Sequence, residues 1–397
     1  MPVDSHNQAP PVELLARAVA LKEKLASRTG KADELRRIPD ETIADFRGAG
    51  FFRMLQPSRW GGLEVDPGTF FDVQMAVASA CPSSAWVLGV VAVHAWQLAL
   101  FPLQAQEDVW GKDPGTLVSS SYAPTGKIAR ADGGYRVSGR WSFSSGCDHC
   151  QWAFLGGFVP PDGEGKPPDM RTFLLPRSDY RIDDNWHVAG LKGTGSKDIV
   201  VENAFVPEHR THKLIDGFKR QSPGNAVNEA PLYRLPFGQI FVRSVSTSAI
   251  GAAEGALAAF LAIAAKRVAA GDGARVAEDP TTQTVCARAA MLVDEARLVL
   301  HRNFDEMMGL VRAGKDITID RRVRFRQDSS MAVVKCVEAV DLLFTASGGR
   351  AIFLESPLLR YFLDVHAARA HYANNPDKPG RNFGGVQLGA KTVDYFI

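Results

Sequence analysis

Cysteine is sparse in this chain: five residues in 397, an odd number. A secreted disulfide framework needs paired and denser cysteines, so these thiols read as reduced. Neither sign of charge is in excess. The 46 Lys and Arg against 44 Asp and Glu leave a formal charge of +2, which excludes a general electrostatic affinity for nucleic acid or an anionic membrane. The opening "MPVDSHNQAP" lacks the charged, apolar and small-residue regions of a secretory leader, and a cytoplasmic location is expected. Long apolar runs are also few. The most conspicuous, "AWVLGVVAVHAWQLALF" at 85–101, holds His94 and Gln97, with Ser83 and Ser84 placed to cap it. It reads as a buried core helix, not a membrane span. Two nucleotide signatures are missing as well. No G-x-G-x-x-G follows a strand and opens a helix, and no G-x-x-x-x-G-K-S/T occurs, so no nicotinamide-binding motif is present.

What is there divides the chain by texture. Residues 1–115 carry helical periodicity, as in "PVELLARAVALKEKLASR" and "IPDETIADFRGAGFF", the latter with a proline start and a glycine stop. Residues 116–212 change to short β-branched and aromatic runs punctuated by Asp-Gly and Gly-Gly turns, which predicts antiparallel strands in a small barrel or sandwich. "PPDGEGKPPD" reads as an exposed loop between two strands. Residues 213–397 begin with a mixed, proline-bearing loop at 216–236. Four long helical segments follow, starting near Ser248, Gln283, Arg324 and Ser356, enough for a bundle. The expected fold is α+β, mostly α: helical domain, middle β domain, helical bundle.

Motifs within this frame leave alternatives open. Cys147 and Cys150 have C-x-x-C spacing in "SSGCDHC", but no second Cys/His pair completes a zinc site. The pair also lies at the end of a β-hairpin instead of before a helix, so a structural role is expected and no metal; His149 alone makes no site. "GLKGTGS" at 190–196 lies between strands and cannot aim a helix N-terminus at a pyrophosphate. It is a tight turn, or a backbone wall beside a planar cofactor with Trp186, Gly193 and Ser196. In "ESPLLRYFLDVHAARAHYANNP", Ser356 suits an N-cap and Pro357 the first helical position. At 100° per residue Arg360, Asp364, Ala367 and His371 share a stripe that excludes His366. Spacing alone allows a structural Arg360–Asp364 pair with a core His371, or a functional histidine. His94 carries the same two readings. Glu254 reads as a first-turn carboxylate of a bundle helix.

Several ordered segments then carry a resemblance over nearly the whole chain: "LRRIPDETIADFRGAGFFRMLQPSRWGGLEVDPGTFF", "SSAWVLGVVAVHAW", "GRWSFSSGCDHC", "WHVAGLKGTGSKDIVVENAFVPEHR" and "RYFLDVHAARAH". The sequence resembles the acyl-CoA dehydrogenase fold. More narrowly, it is similar to the oxygenase components of two-component flavin-dependent aromatic hydroxylases, of the 4-hydroxyphenylacetate and steroid-ring-degradation type. The resemblance implies an N-terminal helical domain, a middle antiparallel β-barrel, a C-terminal four-helix bundle and a homotetramer. It implies reduced FMN, with FADH2 as an alternative, reacting with O2 through a C4a-hydroperoxide to hydroxylate a small aromatic, phenolic substrate. The reduced flavin would come from a separate NAD(P)H-dependent reductase. For individual residues it implies a catalytic His371, acting as a base on the phenol, and His94 in the substrate pocket beside Trp86. Ser120 or Ser121 would contact substrate or flavin, and Ser144 or Ser145 the flavin nitrogen N5. Trp186, Gly348 and Gly349 are further flavin contacts. Similar chains often carry Arg where this one has Leu363, and no Glu follows Glu355. That absence argues against α-proton abstraction from an acyl thioester by a C-terminal glutamate. Oxygenation of indole, or of a nitrogen or sulfur atom, and an acyl-CoA dehydrogenase-like FAD enzyme are the alternatives.

Overall fold

The computed structural model describes residues 11–161, 163, 169–268 and 273–397. The amino-terminal decapeptide and most of the loop expected at 160–169 lie outside the described residues. Six helices come first: α1 (Pro11–Ser27), α2 (Thr29–Leu35), α3 (Asp40–Gly48), α4 (Pro67–Ala78), α5 (Pro82–Leu98) and α6 (Leu103–Trp110). Helix α5 has no polar face, and nearly every residue along it is buried, as suits a central helix packed on all sides. Its cap differs from the expected one. Cys81 is the N-cap residue, without a side-chain capping bond, while Ser83 and Ser84 lie inside the first turn and Ser84 Oγ donates to Cys81 Sγ.

Eight strands follow: β1 (Val118–Ser121), β2 (Lys127–Ala131), β3 (Gly134–Ser144), β4 (Trp152–Val159), β5 (Asp169–Pro176), β6 (Arg181–Asp183), β7 (Lys197–Pro207) and β8 (Thr211–Lys213). They form two four-stranded sheets, ordered β1-β4-β5-β8 and β2-β3-β7-β6. Pairing is antiparallel except that β1 runs parallel to β4. Val137, Trp141 and Ile199 of one sheet meet Leu155, Phe173 and Leu175 of the other in a common core. The β3–β7 ladder slips between Trp141 and Ser144, a bulge that re-aims the end of β3.

The short helix α7 (Leu214–Lys219) and two 3-10 turns order the segment leading into the bundle. The bundle helices are α8 (Phe237–Ala264), α9 (Pro280–Arg312), α10 (Ile319–Ala346) and α11 (Pro357–Ala370), and a further helix, α12 (Asp377–Gln387), follows. Helix α8 starts well before the expected Ser248. Glu254 is therefore mid-helix, part-buried against Arg297 of α9 at 3.4 Å, and not a first-turn carboxylate. Gly251 and Gly255 let α4 approach closely: a Cβ at either would lie 2.3 Å from Met75 O or 2.4 Å from Ser79 O. By length and composition α8 could cross a membrane, but 61% of its most apolar window is buried within the fold. Helix α5 packs against β1 on one side and α8 on another. The ends of β1 and β3, the middle of α5, the start of α8 and the end of α11 thus meet at one cluster of rings, Trp86, His371, Phe241, Tyr122 and His94.

Candidate active site

His94 is fully buried on α5. Its Nδ1 lies 2.6 Å from Val118 O; a carbonyl only accepts, so Nδ1 carries the hydrogen. Nε2 is then a bare lone pair, buried and without a partner. Burial lowers the pKa to about 4, against the Val118 bond that raises it, so the ring is neutral near pH 7. Its edge contacts are Tyr122 and Phe154, with centroids at 6.1 and 5.8 Å. Tyr122 is hydrogen-bonded to Gln97 and to Ser120. Strand alternation puts Ser120 on the Tyr122 side and turns Ser121 away. Ser121 Oγ donates to Ser142 O at 2.6 Å, tying β1 to β3. The structure thus separates this serine pair: Ser120 bonds Tyr122 and Ser121 is tied to the backbone.

At the end of β3, Phe143 has φ 67° and is 69% exposed. A bulky residue in the left-handed region is strained, and such strain collects at functional sites. Its ring stands edge-on to Trp186, at 6.1 Å. Sequence reading passed over Phe143, because strain and exposure leave no compositional trace. Ser144 is fully buried with an unpartnered Oγ. Ser145 is hydrogen-bonded twice: Trp86 Nε1 donates to it at 3.1 Å, and Ser196 Oγ lies at 2.7 Å. Trp86 also meets the His371 ring edge-on at 5.6 Å, so Ser145 and His371 lie on either side of one indole.

His371 departs from the helical stripe. Helix α11 stops at Ala370, and His371, with ψ 135°, caps the following 3-10 turn, its Nδ1 accepting from Ala373 N at 3.2 Å. Asn374-Asn375-Pro376 therefore does not end α11; the chain leaves the helix at His371 and re-enters one at α12. In the neutral ring the hydrogen sits on Nε2, so this histidine meets a ligand as a donor. His371, expected as a base, thus stands with Nδ1 engaged by the backbone. The ring is part-accessible by surface yet closely surrounded by protein, and this burial, followed by the Arg326 charge, lowers its pKa to about 4. Phe241 of α8 lies 6.3 Å from His371 and 5.0 Å from Tyr122, completing an aromatic wall between the two histidines. Arg326 of α10, missed in the sequence, is buried with Nε and Nη1 unpartnered.

The expected Arg360–Asp364 pair does not form. Arg360 bonds Thr29 Oγ1 at 2.6 Å and approaches Asp33 at 3.5 Å. Asp364 accepts from Leu191 N at 2.5 Å, and burial raises its pKa to about 7. His366 pairs with Asp341 at 2.8 Å. Gly348 and Gly349 follow the far end of α10, exposed, with Arg267 Nη1 donating to Ser347 O at 2.6 Å. They are more than 20 residues beyond Arg326 on a helix rising about 1.5 Å per residue. Within one chain they lie apart from His371.

Cys147 and Cys150 are buried free thiols; burial raises the first to about 12 and the second well above its ordinary value. Among the described residues no group of three or more His, Cys, Asp or Glu could hold a metal. A cavity of about 350 Å³ beside Arg47, Phe52, Val91 and Trp110 contains none of the predicted site residues. A flavin fits at this end of β3 on two observations. Phe143 and Trp186 present an aromatic wall, and the Ser144 hydroxyl is buried and unpartnered.

Comparison with known proteins identifies the family. A family model described as "Acyl-CoA dehydrogenase, C-terminal domain" matches residues 244–376. The chain is 42% identical over 387 residues to the flavin-dependent monooxygenase oxygenase subunit HsaA of Mycobacterium tuberculosis, covering 97% of each. It is 36% identical to the oxygenase component of an FADH2-dependent resorcinol hydroxylase from Rhizobium sp., covering 96% of this chain and 95% of the other. The crystal structure of 3-HSA hydroxylase from Rhodococcus sp. RHA1 superposes with a TM-score of 0.93 at 42% identity, covering 97% of this chain and 99% of that one.

Proposed function

Because the chain belongs to the oxygenase components of two-component flavin-dependent aromatic hydroxylases, we propose that it hydroxylates a phenol held between His94 and His371. The chain is a flavin-dependent monooxygenase using reduced flavin and O2, with a separate reductase supplying the reduced flavin. Reduced flavin, when bound, supplies the activation of dioxygen and the oxygen atom that is inserted. The observation that carries the proposal is the opposite polarity of the two histidines: His94 offers a lone pair and His371 an N–H, both rings being neutral.

The substrate hydroxyl donates to His94 Nε2, which removes the cost of a buried orphan acceptor, about 1–3 kcal/mol. An imidazole near pKa 4 does not ionise a resting phenol near 10: that transfer is uphill by about 8 kcal/mol. As the ring carbon takes up oxygen, however, the ring becomes cationic and its hydroxyl strongly acidic, and transfer to His94 turns downhill. The weak base therefore acts when charge develops, which is general-base catalysis without a stored phenolate. His371 donates from Nε2 beyond Phe241. Tyr122, Phe241 and Trp86 exclude water around both groups. Ser120 assists at the substrate hydroxyl, while Ser145, Ser144, Trp86, Phe143 and Trp186 receive the flavin ring.

A homotetramer in the cytoplasm completes the proposal. It is supported by Leu261, Met291, Leu298 and Phe353, large apolar side chains left exposed on and beside the bundle. Gly348, Gly349 and Arg267 then serve a flavin held mainly by a neighbouring copy. The test supplies reductase, NADH, FMN and ¹⁸O2 with phenols, indole and a thioether. Labelled hydroxylated phenol is expected, with no NADH oxidation when the reductase is omitted. Turnover of indole or the thioether with every phenol inert would overturn the phenol assignment, and light scattering at other than four times 43.1 kDa would overturn the tetramer.

A further inference from the structure

Ser145 stands at one end of a file of hydroxyls. Trp86 Nε1 donates to Ser145 Oγ at 3.1 Å; Ser145 and Ser196 are 2.7 Å apart, Ser196 and Thr194 2.7 Å, and Thr194 Oγ1 reaches Leu191 O at 2.9 Å. Leu191 O also accepts from Thr194 N–H at 3.1 Å and from Trp186 Nε1 at 3.2 Å; with Thr194 Oγ1 as its third donor, the hydrogens of the file run one way. An indole N–H can only donate and a carbonyl oxygen can only accept. Thr194 therefore gives its hydrogen to Leu191, Ser196 gives its own to Thr194, and Ser145 gives its own to Ser196. All three hydroxyl residues are buried, so bulk water does not reorient them. Ser145 is left with no hydrogen to offer and one lone pair.

The accepting carbonyl is itself held in place. Leu191 has φ 53°, a left-handed conformation that a branched residue adopts only under constraint from its surroundings. Its N–H donates to the buried carboxyl of Asp364 at 2.5 Å. The preceding Gly190 packs so tightly on α11 that a Cβ there would lie 2.2 Å from Leu363 O. The last helix thus clamps the turn that orients the file.

We propose that Thr194 and Ser196 are positioning residues that fix Ser145 as a hydrogen-bond acceptor at the flavin site, so that the protein favours reduced over oxidised flavin. Reduced flavin carries a hydrogen on N5, which an acceptor matches; oxidised flavin has only a lone pair there, which meets the Ser145 lone pair. The inference rests on the placement of Ser145 at the flavin, and its test separates the two. Anaerobic titration gives the dissociation constants for reduced and oxidised FMN, and the ratio of the two is the readout. Thr194→Val keeps the shape and removes the last acceptor hydroxyl, so the file can reverse and Ser145 can donate. The preference for reduced FMN should fall about tenfold, one hydrogen bond's worth. The midpoint potential of bound flavin should fall with it by about 30 mV for a two-electron couple. Thr194→Ser should restore the ratio, and Ser196→Ala should repeat the loss should Thr194→Val fold poorly. If Ser145→Ala shifts the ratio while Thr194→Val and Ser196→Ala stay within twofold of the parent, the proton file is wrong and Ser145 still faces flavin. If Ser145→Ala leaves the ratio unchanged, the placement of Ser145 fails, and the inference with it.

Discussion

Replacing His94 by Asn tests the proposed chemistry with little change to the fold. The Asn amide nitrogen replaces Nδ1 as donor to Val118 O, the 2.6 Å bond that anchors the ring, but nothing replaces the Nε2 lone pair. On stability, the variant loses ring contacts with Tyr122 and Phe154, about 0.5–1.5 kcal/mol each. Asn Oδ1 takes over as a buried acceptor without a partner, so nothing offsets that loss, and the thermal unfolding midpoint should fall by a few degrees. On rate, removal of a general base costs about 100-fold or more. The pH dependence is the sharper diagnostic. Without His94 the substrate must ionise unaided, and the ionised fraction of a phenol with pKa near 10 grows about tenfold per pH unit below that value. Single-turnover hydroxylation by His94→Asn should therefore climb steeply from pH 6 to 9, and the parent much less. A variant within threefold of the parent at pH 7, or one with the same pH slope, refutes the role given to Nε2.

Acid should destabilise the protein before its carboxylates titrate. Desolvation holds His94, His212 and His371 near pKa 4, so between about pH 6.5 and 4 the unfolded chain takes up three protons that the folded one refuses. Asp364, raised to about 7, keeps one proton that the unfolded chain loses. His149 is lowered and His301 raised, in opposition. The net is about two protons, so stability should fall by about 2.7 kcal/mol per pH unit as pH drops through that window; urea midpoints flat from pH 6.5 to 4 would refute it. Thiol titration of the native protein should label Cys286, part-exposed, and reach the buried Cys81, Cys147, Cys150 and Cys336 only on unfolding; rapid labelling at Cys147 would revive a redox role. Phe143→Gly relieves a left-handed φ and should raise unfolding free energy by up to about 1 kcal/mol while weakening flavin binding. Unchanged flavin affinity would remove Phe143 from the site.

The layered order of helices, strands and bundle was legible because apolar periodicity switches near residues 116 and 213 in the sequence itself. Legibility failed where local composition and tertiary packing disagree. The first turns of α8, "FGQIFVRSVST", are β-branched and read poorly as helix, yet the helix forms because burial on all sides overrides propensity. Helix α12 contains Pro379 and three glycines and has no helical signature of its own. His371 sits in an alanine-rich run with no breaker before it, so periodicity kept it on the stripe. Its own side chain, capping Ala373, helps to end the run.

The candidate residues were visible as residue types, but their polarity was not. Which nitrogen of His94 is bare depends on a carbonyl 24 positions away. Which way Ser145 points depends on a carbonyl in a turn that α11 clamps from outside. A histidine or serine in a sequence is both donor and acceptor; the chemistry is decided only when a fixed partner, an N–H that must give or a C=O that must receive, consumes one of the two options. At this site Val118 O, Ala373 N–H and Leu191 O make that choice. All three are backbone atoms, whose placement no side-chain pattern records, so a sequence reading can find such a site before it can assign an acid or a base within it.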